Sequence, residues 1–455
     1  MRTSLLLPIL YFWQLCLNQY LVWSIGFFNF LSREEAHTAF VNVLYFKHRL
    51  QASEFATNFA GTLLFALGFG LSPEPGVFYG RMLKSIVMAS IPCLCFLLMH
   101  LRFSYSKWIS LWCALAVGLV PGLYFFYGLG IDIGLEIPFG LAALILAGSQ
   151  RLWVVGVAGA LLMFSALCYG AGIAFGPAVA WLVFRHPDWK RRAPVSLLAG
   201  LAVVSVPVLY WTNIQLLFVG GGGAGRATPW ESFLLIRNDL MIGGGTYYYP
   251  LELHPALGLN PLPWVAILGL ASAAARWRRL MPLVLVAITS ILVACTAGTL
   301  PGVRRAIPFV LAATILGVCL LDHYLGRVPR LKRAVGVAMI AGLLFDLHLV
   351  TQQWRAGRLF VIQDFGFVRH KQSIEQSLED YRLRIVSVPE TREMGSPRSN
   401  YALLHLLTLP DPIVSFESFA AVQDEDDPPF PKGVTRFSLL PEIWKRRSQA
   451  TSSGR

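Results

Sequence analysis

Charged side chains are scarce in this chain: lysine, arginine, aspartate and glutamate together make up 14% of its 455 residues. A soluble domain usually carries about a quarter charged residues, whereas 55% of this chain is hydrophobic. Its apolar residues come in runs that approach the roughly 20 residues needed to cross a bilayer. These features exclude an ordinary soluble fold and predict an all-α polytopic membrane protein.

Cysteine is also sparse, and its placement argues against two further classes of protein. The seven cysteines lie almost entirely within apolar runs, and no pair has the context of a metal site. We therefore expect packed thiols rather than a disulfide framework. The first apolar run, residues 5–28, lacks a small-residue cleavage pattern after a short core, which predicts a retained helix rather than a signal peptide.

Acidic residues are outnumbered 25 to 38 by lysine and arginine, so the net charge is +13. Such a charge is compatible with nucleic-acid binding, but the basic residues collect in short loops between apolar runs, where they orient helices. We therefore predict contact with membrane lipids and none with nucleic acid. The basic loops are 102–107, 151, 185–192, 276–279 and 327–333.

The basic loops predict a topology if all of them face the cytoplasm. The chain then crosses the membrane about eleven times, with a cytoplasmic N-terminus and an extracytoplasmic C-terminus. Run 55–71 does not fit as a crossing and is interpreted as interfacial or re-entrant. Run 152–184 is divided in two near Tyr169-Gly170. The remaining predicted crossings are 5–28, 83–101, 108–127, 131–148, 195–218, 259–275, 280–297, 306–324 and 334–353.

This topology divides the chain into two parts. Residues 1–356 form the transmembrane bundle, with external loops at 31–82, 219–258 and 298–305. Residues 357–455 are polar and are predicted to form a small extracytoplasmic tail domain that is partly disordered. The plasma (inner) membrane is the predicted location.

Two acidic sites fall on the same predicted external face. Glu34 and Glu35 follow the first run closely, and Asp132 begins the run 131–148. Carboxylates beside hydrocarbon require a compensating interaction or a function. The simpler alternatives are a solvated loop for the glutamates and a helix cap for Asp132.

Arginines are predicted on the same face. Arg304 and Arg305 stand directly before a late apolar run. Their predicted external position goes against the usual enrichment of lysine and arginine on the cytoplasmic side. An arginine pair there suits a lipid phosphate, because guanidinium binds phosphate in a bidentate manner; headgroup anchoring is the alternative. Arg81, at the start of the second crossing, and Arg33 are weaker candidates. Tyr248 belongs to an aromatic stretch that could form an interfacial belt or face a sugar.

These groups make chemical sense together. A carboxylate can take a proton from an acceptor hydroxyl or hold a divalent metal ion. On a helix, His37 would share a face with Glu34 and could add a metal ligand. The arginines can stabilise charge on a departing phosphate. This combination predicts glycosyl transfer from a lipid-phosphate sugar, with a divalent metal ion as the one cofactor considered.

The chain resembles the GT-C membrane glycosyltransferases, in particular the protein O-mannosyltransferase and aminoarabinose-transferase branch. Members have an acidic pair after the first helix, an arginine at the start of the second, a second acid before an apolar run, and a basic residue before a proline-containing late helix. The corresponding segments here are SREEAH at 32–37, GRMLKS at 80–85, GIDIG at 130–134 and RRAIPFV at 304–310.

The resemblance implies a GT-C-like bundle and a polyprenyl-phosphate-linked sugar donor. It also implies a glycan, lipid or protein acceptor reached from the outer face. It casts Glu34 as base or metal ligand, assisted by Glu35 and Asp132. Two alternatives stay open: a transporter or flippase of a lipid-linked sugar, and a non-catalytic member, since Tyr169-Gly170 stands where the family has Lys-Gly.

Overall fold

The computed structural model describes residues 3–25, 60–61, 64, 77–127, 133–210, 228–241, 269–270, 278–296, 305–325 and 328–355. These residues form helices and turns, with no strand among them. The helices are α1 (Thr3–Ile25), α2 (Val77–Met88), α3 (Ser90–Leu97), α4 (Lys107–Leu119), α5 (Pro121–Tyr127), α6 (Glu136–Ala147), α7 (Leu152–Cys168), α8 (Gly176–Phe184), α9 (Trp189–Tyr210), α10 (Pro229–Met241), α11 (Met281–Thr296), α12 (Ile307–Leu325) and α13 (Pro329–Arg355).

Three stretches of the described chain are both long and apolar enough to cross a membrane: Arg81–Arg102, Ile307–Leu325 and Pro329–Gln352. The first joins α2, α3 and the π-helical turn Leu98–Arg102. Shorter apolar helices, such as α4 and α11, pack against them. The all-α membrane architecture is therefore confirmed, whereas the count of about eleven crossings stays a prediction. The tail 357–455 and most of run 55–71 lie outside the described residues.

The predicted crossing 108–127 is wrong as a single helix. Ser106 begins α4 as its N-cap, where its side chain accepts the Ile109 N–H at 3.4 Å. The helix ends at Val120, whose ψ of 130° is extended. The next residue, Pro121, excludes helical geometry from the residue before it and favours the first turn of a new helix. The run is consequently broken into α4 and α5.

The division of run 152–184 is confirmed at the expected place. Helix α7 ends at Cys168, Tyr169 is extended with φ −157° and ψ 137°, and a 3₁₀ turn (Gly170–Phe175) leads into α8. A Cβ on Gly172 would lie 2.5 Å from the Ser165 carbonyl group, so this close return requires glycine.

The packing contacts between α7 and α9 give the relative direction of these two helices. A Cβ on Gly156 would meet Val195, and one on Gly200 would meet Met163 at 2.9 Å. Contacts therefore advance together along both helices, which means that α7 and α9 are parallel. The 170–184 segment between them must return in the opposite direction, as two separate crossings require.

The basic loops meet at one end of the bundle. Four contacts join them: Arg102 Nη1 donates to the Gly148 carbonyl at 3.0 Å, Arg192 donates to the Ser149 carbonyl, His186 lies 3.0 Å from Gln150, and Arg279 lies over the Tyr105 ring at 4.6 Å. The start of α13 packs here too, because a Cβ on Gly336 would meet the Trp112 ring. We call this the basic end.

Apolar side chains fill the space between the helices in one large cluster with contributions from α1 to α13. All seven cysteines are free thiols and five of them are buried, as expected for packing residues. Because the core is continuous, the two ends of each helix are fixed relative to the neighbouring helices.

Candidate functional site at the end opposite the basic end

The turn Ile133–Leu135 joins two of the sequence motifs. Lys84 Nζ, from the GRMLKS segment on α2, donates to the Ile133 carbonyl in the GIDIG segment. Gly134 has φ +94°, a left-handed conformation that favours glycine. A Cβ there would lie 3.0 Å from Met88 Cε and 3.8 Å from Lys84 Nζ. The turn is therefore closely fitted to α2.

Arg81 and Lys84 lie three residues apart on α2 and are both fully buried. Residues at this spacing share a helix face. Buried cations inside a membrane bundle are costly and mark a functional site by default. The start of the first long crossing therefore brings Lys84 to the turn that directly follows Asp132, with Arg81 one helical turn away on the same face.

Glu136 is the first residue of α6 and its side chain is buried. Its carboxylate accepts the Gly134 N–H at 2.7 Å, and its carbonyl accepts the Ser165 hydroxyl at 2.7 Å. The positive helix N-terminus favours a carboxylate there. The sequence interpretation that Asp132 begins this helix needs correction, because the helix starts four residues later and Glu136 is the carboxylate in its first turn.

Arg305 lies directly before α12 at the same end of the bundle. The far end of α12 is at the basic end, since α13 begins four residues after α12 ends and packs there against Trp112. Nineteen helical residues separate the two ends by about 28 Å. The Ser290 hydroxyl donates to the Arg305 carbonyl at 3.5 Å and accepts the Phe309 N–H at 3.1 Å, which tethers this start to α11.

The Arg305 side chain is half-buried, and its Nη1 has no hydrogen-bond partner among the described residues. Arg305 thus stands before the N-terminus of α12, and Lys84 Nζ reaches the turn before the N-terminus of α6. A helix N-terminus repels a cation. An anion bound to Arg305 Nη1 would offset that penalty, so this end of the bundle can accept a negatively charged ligand.

Most of the predicted site residues cannot be placed. Arg81 and Arg305 are described, and both lie at the end opposite the basic loops. The part of the chain that the structure describes contains no group of three or more histidine, cysteine or carboxylate side chains suited to a metal. The metal prediction therefore stays a prediction. The predicted residues outside the described ranges are Arg33, Glu34, Glu35, His37, Asp132, Tyr248 and Arg304.

Sequence reasoning missed Lys84 and Glu136. The signal for Lys84 was its spacing: it lies one helical turn after Arg81, so both share a face once the segment is helical. Glu136 gave a weaker signal, since it follows Asp132 by four residues within an apolar run. A carboxylate inside such a run is expensive unless it is compensated.

Comparison with solved structures identifies the fold. ArnT from Cupriavidus metallidurans in the apo state aligns with a TM-score of 0.50 at 14% identity, covering 94% of this chain and 72% of ArnT. This chain has the GT-C fold. The likeness, at such low identity, concerns the fold alone, and it agrees with the resemblance seen in the sequence motifs.

Two further structures are similar at lower scores. ArnT bound to undecaprenyl phosphate gives a TM-score of 0.47 at 12% identity, covering 97% of this chain and 73% of ArnT. The Archaeoglobus fulgidus oligosaccharyltransferase in the apo form gives 0.49 at 13% identity, covering 87% of this chain and 63% of the enzyme. No protein-family model matches the sequence, and no curated protein matches it.

Proposed function

We propose that this chain is a GT-C glycosyltransferase that moves a sugar from a polyprenyl-phosphate-linked donor to a glycan, lipid or protein acceptor on the extracytoplasmic face. The observation that carries the proposal is the buried Arg81–Lys84 pair, held against the turn that follows Asp132. This pair lies in a bundle of GT-C fold, at the end opposite the basic loops.

In the proposed reaction, an acceptor hydroxyl attacks the anomeric carbon of the donor sugar. The bond between that carbon and the phosphate oxygen breaks, and the lipid phosphate leaves with the bonding electrons. Glu34 takes the hydroxyl proton, and Glu35 and Asp132 assist. If a divalent metal ion binds, Glu34 and His37 would hold it, and it would supply electrostatic stabilisation of the phosphate.

The cations act on the leaving group. Arg81, Lys84 and Arg305 offset the negative charge that grows on the departing phosphate, in a buried setting where such an interaction is stronger than in water. Arg33 and Arg304 extend this positive surface from the loops. Tyr248 provides a ring on which a sugar can stack.

A lipid phosphate is the donor class that fits best. The cation pair lies at the start of an apolar crossing, so a phosphate reaching it can keep its hydrocarbon chain in the membrane. ArnT has been solved with undecaprenyl phosphate bound, and we extend that class of ligand to this chain.

The proposal includes the predicted topology. The chain lies in the plasma membrane with about eleven crossings, a cytoplasmic N-terminus and the site on the opposite face. The polar residues 357–455 form the extracytoplasmic tail. Under this arrangement the basic end is cytoplasmic, which agrees with the usual distribution of lysine and arginine.

The test is transfer of radiolabel from a polyprenyl-phosphate sugar in membranes that contain the chain. Glu34→Gln should reduce transfer by at least about a hundredfold, the usual effect of losing a positioned acid or base. Glu231→Gln is the matched control, because Glu231 is an exposed carboxylate on α10. Unchanged transfer in Glu34→Gln at equal expression would remove Glu34 from the mechanism.

A second measurement separates the enzyme from the alternatives. Vesicles containing the purified chain should form a glycosidic bond to acceptor, detected as label in a product no longer attached to the polyprenyl chain. Movement of intact sugar-lipid between leaflets without bond formation would instead support a flippase. No effect of deletion on the glycan profile of cells would support a non-catalytic protein.

A further inference from the structure

Two arginines from different helices meet at the C-terminus of α6, within the basic end. Arg102 Nη1 donates to the Gly148 carbonyl at 3.0 Å, and Arg192 Nη2 donates to the carbonyl of the next residue, Ser149. The negative end of a helix attracts such cations. Because the two acceptors are consecutive, the two guanidinium groups are neighbours.

The charge of this pair is not balanced within the described residues. No carboxylate there lies within ion-pair distance of either guanidinium. The nearest acid in sequence, Asp188, is 71% exposed and lies 4.0 Å from His186 Nδ1 instead. Arg192 is 1% exposed, yet its Nη1 has no hydrogen-bond partner in the same set of residues. A buried charged donor without an acceptor is unfavourable.

The pair is also fixed in place before any ligand arrives. A Cβ on Gly148 would fall on the Arg102 guanidinium, so glycine at this position leaves the space that the arginine occupies. Arg192 is positioned by the first turn of α9, where its backbone N–H donates to the Asp188 carbonyl at 3.2 Å. A preorganised pair of guanidinium forks matches the oxygen atoms of a phosphate.

The surroundings are those of a lipid headgroup. Arg102 ends the 22-residue apolar crossing Arg81–Arg102. Exposed apolar side chains lie close in the sequence to the basic residues at this end of the bundle. They are Leu101, Trp153, Phe184 and Trp189. Exposed tryptophan near the end of a crossing is typical of the boundary between hydrocarbon and headgroups. A ligand bound here would therefore meet charge and hydrocarbon together.

We propose that the Arg102–Arg192 pair binds the phosphodiester of an anionic phospholipid at the basic end of the bundle. The two guanidinium groups donate to the phosphate oxygens, and the acyl chains lie along the apolar rim. A free phosphate would share the first interaction but would gain nothing from the rim. This binding does not depend on the proposed transferase activity.

The test uses the purified full-length chain in neutral detergent. Dioleoylphosphatidylglycerol is titrated, and the rise in unfolding temperature gives the half-saturating lipid concentration, with dioleoylphosphatidylcholine as the zwitterionic comparison. Arg192→Gln should raise the half-saturating concentration of phosphatidylglycerol about tenfold, as expected for one charge-assisted hydrogen bond. Arg191→Gln, which removes the same charge from an exposed neighbour, should leave it within about twofold.

Gly148→Ala supplies a variant without any change in charge. Its Cβ displaces the Arg102 guanidinium, so phosphatidylglycerol should again bind about tenfold more weakly. If Arg192→Gln fails to fold, Gly148→Ala and Arg102→Gln carry the test. Equal lipid dependence in Arg192→Gln and Arg191→Gln would overturn the proposal. Inorganic phosphate that stabilises the chain as much as phosphatidylglycerol would also overturn it, in favour of a free-anion site.

Discussion

The two ends of the bundle hold cations in opposite ways. At the basic end, Arg102, Arg192 and Arg279 donate to backbone carbonyls, and the first two of these carbonyls close the C-terminus of α6. At the other end, Arg81 and Lys84 lie within α2, and Lys84 Nζ donates to the turn that precedes the start of α6. Helix dipoles favour the first arrangement and oppose the second.

This difference separates charge that the helix dipoles stabilise from charge that they oppose. A cation at a helix C-terminus lowers the free energy of the fold by itself, so arginines at the basic end would be retained without any substrate. At the other end, the Arg305 guanidinium stands before a helix N-terminus, which raises the free energy unless an anion accompanies it, and its Nη1 has no hydrogen-bond partner among the described residues. This end is therefore where we expect an anionic substrate, and four experiments can test the contrast.

The largest effect is expected from a pair of lysine variants, one at each end. Lys84→Gln should reduce sugar transfer about a hundredfold, because it removes a buried donor that faces the departing phosphate. Lys332→Gln should leave transfer unchanged, since this partly exposed lysine pairs with Asp322 near the basic end. Transfer is measured with radiolabelled donor at equal expression. Equal losses in both variants would show that the contrast between the ends is false.

Glu136→Gln tests the buried carboxylate at the end opposite the basic end. Its charge lies among buried groups that include Lys84, so we expect the free energy of unfolding to fall by about 3 kcal/mol, as when one member of a buried charged group is removed. Denaturant unfolding in detergent provides the measurement. A change no larger than that of Glu231→Gln would mean that Glu136 does not compensate the cations.

Gly134→Ala tests the turn that joins the two motifs. A side chain at φ +94° is strained, and its Cβ would press on Met88, which should cost about 2 kcal/mol of stability. Gly176→Ala is the matched control, because it lies at the start of α8 with nothing near its Cβ position. Thermal unfolding of the two variants in detergent compares them. Equal unfolding temperatures would contradict the fitted turn.

The smallest effect concerns α10, away from both cation groups. The Thr228 N–H and hydroxyl donate to the Glu231 carboxylate and lower the pKa of Glu231 from its ordinary value of 4.5. A lowered pKa in the folded state contributes stability above pH 4.5 that is lost as the pH falls below it. Fluorescence of the neighbouring Trp230 should report fraying of this helix start on acidification. Glu231→Gln should abolish the pH dependence.

Local sequence signals predicted the all-α membrane class and one of the two helix breaks described above. The break before Pro121 could have been anticipated from the restriction that proline imposes on Val120, although the run around it was interpreted as one crossing. The return near Tyr169-Gly170 was predicted from the parity of basic loops and is confirmed by the parallel packing of α7 and α9. Hydropathy, loop charge and turn residues act over a few positions, so they can be read without a structure.

The candidate site was predicted less completely. Arg81 and Arg305 were found because each stands at the edge of an apolar run with an unexpected charge. Lys84 was hidden within its run, and its contact with the Ile133 carbonyl spans 49 positions. No local sequence pattern predicts a contact between residues so far apart in the chain. The pair Arg102 and Arg192 was likewise read only as loop charge that orients helices.

The sequence by itself determined that this chain is an all-α membrane protein and which loops carry its positive charge. Those properties follow from the transfer of side chains between water and hydrocarbon, which depends on composition over short stretches. Only the tertiary structure decided which buried charges are neighbours and which helix ends they face. That arrangement is set by the packing of helices far apart in the sequence, where Gly148 leaves the space that the Arg102 guanidinium occupies.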